Sequence, residues 1–283
     1  ASSQKVRSQK KFEFREIATL SQQINAIAVF DIDGVVRDVS GSYRRAIADT
    51  VEYFTAGAYR PTQTDIDLLK SEGIWNNDWE ASQELVYRYF ERQGQERSQL
   101  NLDYPTLVAY FQSLYQGTDP QNWTGYICDE TLLLQPAYLE QLSASGIPWG
   151  FFSGATRDEA KYVLKRLGLV SPALIAMEDA PGKPDPTGLL AIVHQLEVQH
   201  QLPATTPVLY AGDTVADMYT IIKAAALQPQ RQWIGVGILP PHVQSTADRC
   251  HSYTKTLKSA GAAIVFGNVE ELTPAQISLV IGH

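Results

Sequence analysis

Cysteine is nearly absent from this chain: Cys128 and Cys250 are the only two among 283 residues, far apart and in no metal-ligand spacing. They read as reduced, partly buried thiols rather than a disulfide or half of a zinc site. Five histidines (His194, His200, His242, His251 and His283) form no HxxH or HExxH pattern, so zinc chemistry has no support. No apolar run approaches the ~20 residues of a membrane span. No long basic stretch follows the first few residues, and the formal net charge is −8. Proteins that work on nucleic acid or anionic lipid usually carry a basic face, so neither is expected as a partner. Repeats and low-complexity tracts are missing too. If the substrate is an anion, a few local cations and a metal must hold it against an unfavourable global field.

A chain that is 44% hydrophobic and 19% charged has ample material for a core, in one large domain or two medium ones. The polar start, from Ala1 to Lys11 with no acid before Glu13, belongs to an extension over residues 1–24. It reads as a trimmed end, a disordered tail or the remnant of an organelle transit peptide. A cytoplasmic location is expected, or a plastid or other organelle if that last reading holds.

Four continuous apolar runs suit strands buried on both faces of a parallel sheet: residues 26–30, 148–152, 207–211 and 233–238. Helical patterns lie between the later runs, at residues 157–167, 186–196 and 216–226. Strand then helix, repeated, means βαβ units. Residues 42–134 differ. Tyr43, Ala46, Ile47, Thr50, Val51 and Phe54 fall on one helical stripe. Further helical segments cover 64–71, 78–93 and 104–115, and no convincing strand interrupts them. The expectation is an α/β core over residues 25–41 and 135–283, with an all-helical cap inserted at 42–134.

In open α/β sheets chemistry gathers beyond the carboxyl ends of the strands. After the first run comes Asp31-Ile32-Asp33-Gly34. Two carboxylates one residue apart permit a nucleophile and a separate acid–base group, and the glycine lets a backbone N–H turn towards an anion. The plain alternative is an Asp-rich turn; a calcium loop fits poorly because Gly34 comes too early. After the second run, Ser153-Gly154-Ala155-Thr156 offers a hydroxyl and free N–H groups ahead of a helix, an anion cradle or a simple cap. Phe151, two residues before Ser153, argues against a G-x-S-x-G nucleophile. Gly182-Lys183-Pro184-Asp185-Pro186 is a rigid turn that can aim a lysine. Gly212-Asp213-Thr214-Val215-Ala216-Asp217 places two acids four apart, on one face if a helix opens there. Each cluster alone has a bland reading. Together, in order along one sheet edge, they hold what a hard cation and a phosphate require.

These four motifs resemble those of the haloacid dehalogenase-like (HAD) superfamily, specifically subfamily I (IA) with a helical C1 cap after the first motif. The match runs from about Ala26 to Leu239, and looks closest to a poorly characterised cyanobacterial, plant and archaeal branch. Val35 departs from it where many relatives carry threonine. The resemblance implies a Rossmann-like parallel-sheet core and a phosphatase acting through an aspartyl-phosphate on Asp31. Asp33 would be the acid and base. Mg2+ would be held by the Asp31 carboxylate, the Asp33 backbone carbonyl and Asp213, with Asp217 behind them orienting a water ligand or Lys183. Ser153, Gly154, Gly34 and Lys183 would cradle the phosphate. Dehalogenases of the superfamily need no acid two residues after the nucleophile, so Asp33 favours an oxygen leaving group.

Within the cap, Trp75-Asn76-Asn77-Asp78-Trp79 offers Asn76 and Asn77 to a small ligand; alternatively Asp78 caps the next helix and the tryptophans fill the cap's core. The expected partner is a small phosphorylated metabolite, because a helical cap must close to exclude water. A phosphomutase of the same fold and a non-enzymatic binding protein are the competing readings.

Overall fold

The computed structural model describes residues 23–282, so the polar extension at 1–24 lies almost wholly outside the described residues. Among these, six strands form one sheet: β1 (Ile27–Phe30), β2 (Trp149–Phe152), β3 (Leu174–Ile175), β4 (Val208–Gly212), β5 (Trp233–Ile238) and β6 (Ala262–Phe266). Their order is β3-β2-β1-β4-β5-β6 and every pairing is parallel. Four strands coincide with the apolar runs. The outer strands β3 and β6 were not expected.

β1 is buried along its whole length, and its side chains alternate between two cores. Ala28 and Phe30 pack with α5 (Pro136–Ala144) and α6 (Arg157–Arg166), through Tyr138, Leu139, Val163 and Leu164. Ile27 and Val29 pack on the other face, against Leu189, Ile192 and Val193 of α7 (Thr187–His200) and Ile221 of α8 (Val215–Leu227). Burying one such large apolar side chain contributes about 1.5–3 kcal/mol. With helices on both faces, no strand position in the centre has a reason to be polar. That is why the runs read as unbroken.

The chain winds outward from β1 through β2 to β3, then returns to place β4 on the other side of β1. The crevice at this reversal opens beyond the carboxyl ends of β1 and β4. Asp31 follows one of these strands and Asp213 the other.

Between β1 and β2 lie α1 (Tyr43–Phe54), α2 (Gln63–Lys70), α3 (Asp78–Arg92) and α4 (Tyr104–Tyr115), which share a hydrophobic cluster of their own. Ala46, Ile47 and Val51, from the stripe predicted for α1, are buried in it together with Ile66, Leu85 and Phe111 of the other three helices. Trp75 and Trp79 are half-buried against this cluster, and Asn77 caps α3 by accepting from the N–H groups of Trp79 and Glu80. Asp78, the cap in the alternative reading of the sequence, instead receives Lys70 at 2.8 Å. The fold is thus a Rossmann-like α/β core carrying a helical cap. α9 (Ala247–Ala260) and α10 (Pro274–Ile281) complete the core. Among the described residues, no helix is long and apolar enough to cross a membrane.

Candidate active site

The sheet edge gathers Asp31, Lys183, Asp213 and Asp217, all buried. Lys183 Nζ lies 2.9 Å from Asp31 Oδ1 and 2.8 Å from Asp217 Oδ1. Asp31 Oδ1 also accepts the Ile32 N–H at 2.7 Å, so one oxygen of this carboxylate is tied down. Asp217 is saturated. Its Oδ1 accepts from Lys183 and from Tyr210 Oη at 2.7 Å, and its Oδ2 accepts from the Thr214 N–H and hydroxyl at 3.0 and 2.8 Å.

Electrostatics sort these acids. Burial pushes the Asp31 carboxyl up to about 8; Lys183 opposes the rise and Asp217 adds to it. Burial, then Asp217 and Asp31, drives Asp213 well above the usual carboxylate range. Burial would also raise Asp217, but Lys183, Tyr210 and Thr214 outweigh it and hold this carboxyl low. The lysine, disfavoured by burial, is kept charged by Asp217 and Asp31.

Among the described residues, no hydrogen bond or ion pair within the chain reaches the Asp213 carboxylate; only its backbone carbonyl is engaged, by Tyr253 Oη at 2.7 Å. Oxygens of Asp31, Asp213 and Asp217 lie within 4.8 Å of one another. Ionised carboxylates packed this closely repel unless a cation joins them. Hard oxygen donors of this kind suit magnesium. Since the Asp217 oxygens are already spent, the free donors belong to Asp31 and Asp213. Asp213 precedes α8, whose cap is Thr214, so the two acids do not share a helix face as their spacing suggested.

Gly34 adopts φ +74°, and a Cβ there would overlap the Asp213 carboxylate. Its N–H donates to the Arg37 carbonyl at 2.9 Å, so it is not available to an anion, contrary to the expectation from sequence. Asp33 lies apart from the three clustered acids, with Oδ1 2.5 Å from Arg37 Nε. Arg37 is itself buried and gives Nη1 to Glu130 at 2.8 Å. A cavity of about 390 Å³ is lined by Ser153, Gly154, Lys183, Asn76 and Asn77. Ser153 Oγ accepts the Ala155 N–H at 3.0 Å, while no bond occupies the Gly154 N–H among the described residues. A Cβ on Gly154 would stand 2.5 Å from Asn76 Nδ2, so the cap loop rests directly on this turn. The amide oxygen of Asn77 is committed to the α3 cap, which leaves Asn76 as the freer of the two for a ligand.

A family model described as "Hydrolase: haloacid dehalogenase-like hydrolase" matches residues 26–225. The chain belongs to this family. It is also similar to an imidazoleglycerol-phosphate dehydratase of Phytophthora nicotianae, at 31% identity over 258 residues. That match covers 87% of this chain and 52% of the relative, so the chain spans about half the relative's length. Among solved structures, a phosphonoacetaldehyde hydrolase like protein from Oleispira antarctica superposes with a TM-score of 0.64 at 16% identity, covering 91% of this chain and 95% of that one. A HAD family hydrolase from Deinococcus radiodurans R1, with bound phosphate and sodium, gives 0.57 at 18% identity, covering 90% and 96%. At these identities the two structures speak for the HAD fold.

Several residues of this HAD site escaped the sequence reading. Tyr210 lies inside the β4 run and looked like core. Glu130 gave no signal, since it pairs with a residue 93 positions away. Arg37 stands four residues after Asp33, a spacing that could have marked it as the partner of that carboxyl.

Proposed function

We propose that this chain is a magnesium-dependent phosphohydrolase of small-metabolite phosphate monoesters, acting through an aspartyl-phosphate on Asp31. The single observation that carries this reading is the placement of Lys183 between Asp31 and Asp217, beside the buried carboxylate of Asp213, which is unpaired among the described residues. A phosphate monoester is a dianion that repels an approaching carboxylate. Bound between Asp31 and Asp213, magnesium would supply positive charge that offsets this repulsion.

The remaining roles fall to the chain. Asp31 attacks phosphorus in line, forming its own phosphoryl bond as the ester P–O bond breaks. Asp33 gives a proton to the departing oxygen, then takes one from the water that attacks the aspartyl-phosphate. Inorganic phosphate leaves and the Asp31 carboxylate is restored. Lys183, the Ser153 hydroxyl and the Gly154 N–H hold the equatorial oxygens. Asp217 aims Lys183, and Arg37 fixes the Asp33 carboxyl. Two free cysteines suit a reducing compartment such as the cytoplasm.

A phosphomutase would use the same Asp31 chemistry but return the phosphoryl group to an organic hydroxyl. The reading is tested by a panel of metabolite esters, imidazoleglycerol phosphate among them, assayed for inorganic phosphate with magnesium and after chelation. Hydrolysis abolished by chelation supports a phosphatase. Isomerised ester without free phosphate supports the mutase, and no reaction of either kind supports the binding protein.

A further inference from the structure

A second, smaller cavity lies between the cap and the core, lined by Asp33 but by none of the three clustered acids. Asp33, Arg37, Gln112, Tyr115 and Glu159 contribute to its wall, and its volume is about 20 Å³, room for roughly one water. It shares Asn77, Gly154 and Met177 with the larger cavity over Ser153 and Lys183. With room for one water-sized group, it can receive a single terminal hydroxyl or ammonium of a leaving group whose bulk stays in the larger cavity.

The polar atoms of this wall are unevenly satisfied. Tyr115 is 2% exposed, and its hydroxyl has no hydrogen-bond partner among the described residues. The Gln112 side-chain oxygen is likewise buried and unpartnered, because its amide nitrogen is turned to Glu159 Oε1 at 3.1 Å. Gln116 donates to the same Glu159 oxygen at 2.8 Å. A buried polar atom left unpaired costs about 1–3 kcal/mol, so these atoms are suited to a ligand that pairs them.

Charge narrows the choice. Arg37 is already opposed by Asp33 and Glu130, and Lys70 by Asp78. Glu159 is buried and has no ion pair among the described residues. A second anionic group on the substrate would find no uncommitted cation here and would face Glu159. A hydrogen-bond donor would find the Gln112 oxygen, the Tyr115 oxygen and the Glu159 carboxyl as acceptors.

We infer that the leaving group carries a hydroxyl or ammonium donor received by Gln112, Tyr115 and Glu159, so that polyol or amino-alcohol monophosphates are selected over phosphorylated acids. This rests on the phosphohydrolase reading. The test measures kcat/KM for glycerol 3-phosphate, ethanolamine phosphate, ethyl phosphate and phosphoglycolate, with acetyl phosphate as an intrinsically reactive control. Either donor-bearing ester should exceed both ethyl phosphate and phosphoglycolate by roughly tenfold or more, the scale of one well-placed hydrogen bond. Tyr115→Phe and Gln112→Leu should each lower the ratio of donor-bearing ester to ethyl ester. Glu159→Gln distinguishes the sources, reducing preference for the ammonium ester more than for the polyol. Preference for phosphoglycolate, or an unchanged ratio in both the Tyr115 and Gln112 variants, overturns the inference alone. Failure to hydrolyse any ester, acetyl phosphate included, overturns the phosphohydrolase reading with it.

Discussion

Arg37 reaches across 93 residues of sequence to Glu130, Nη1 to Oε1 at 2.8 Å, with each side chain 1% exposed. The same guanidinium holds Asp33. One arginine therefore ties the first motif to the segment where the chain re-enters the core. Breaking a buried pair leaves an uncompensated charge and costs about 3–5 kcal/mol, whereas replacing both partners with apolar groups is far milder. Above pH 8, where the Glu130 carboxyl that burial raises to about 8 is ionised, Arg37→Met should destabilise the protein by that amount in urea unfolding. The double variant Arg37→Met/Glu130→Met should regain most of the loss, and equal destabilisation by single and double variants would contradict the pairing.

Asp33 can be tested apart from Asp31. Loss of a general acid–base group typically slows turnover by about 10²–10⁴-fold. Asp33→Ala should fall in that range on an alkyl phosphate, and circular dichroism should report a folded protein. Rates near wild type would remove Asp33 from the mechanism.

Gly34 has no side chain because the Asp213 carboxylate occupies that space, and its φ of +74° disfavours any other residue. Gly34→Ala must displace Asp213. A shift of about 1 Å in a catalytic group can cost ~10²-fold in rate, so activity should drop at least that far. Magnesium affinity, read by calorimetry, should weaken in parallel. Normal affinity would show that Asp213 is not a ligand.

Buried acids also set a pH dependence. Burial raises Asp31 and Glu130 to about 8, and raises Asp213, so the folded protein keeps protons that an unfolded chain has released. Stability rises with pH only where the unfolded state binds more protons; here the folded state binds more, so it falls. The loss spans the ordinary carboxylate range up to about 8. Asp217 is held low and already contributes fully over this window, and Lys183 is held high and stays charged through it. His242 is lowered from 6.5, by burial first, and contributes the opposite slope below that pH. Between pH 6.5 and 8, thermal melts of the chelated protein should therefore show a falling Tm. Magnesium should restore more stability at the upper end, where Asp31 no longer competes by binding a proton. A flat profile with and without metal would contradict this.

The central strands and α1 were legible in sequence because burial on both faces, or on one stripe, leaves a pattern in consecutive residues. β3 is only two residues long, Leu174–Ile175, too short for any pattern, and β6 is a sheet edge with only Ala262 fully buried. α9 hides only Leu257 and Ala260, so its sequence is mostly polar. At the site, Asp31, Asp213 and Ser153 stood out because strand ends mark themselves by an abrupt turn from apolar to polar, and Lys183 because Pro184 and Pro186 stiffen the turn that carries it. Arg37–Glu130 and the Gln112–Glu159 contact are set by how the cap closes on the core. Chain spacing carries no record of such contacts.

The most direct measurement of the central claim is phosphoryl transfer onto Asp31 itself. The protein is mixed with acetyl phosphate and magnesium, quenched in acid, digested and mapped by mass spectrometry. A phosphorylated peptide containing Asp31, absent after chelation and absent in Asp31→Asn, is the predicted result. Turnover that persists in Asp31→Asn, or a phosphoryl group carried by Ser153 instead, would contradict the account.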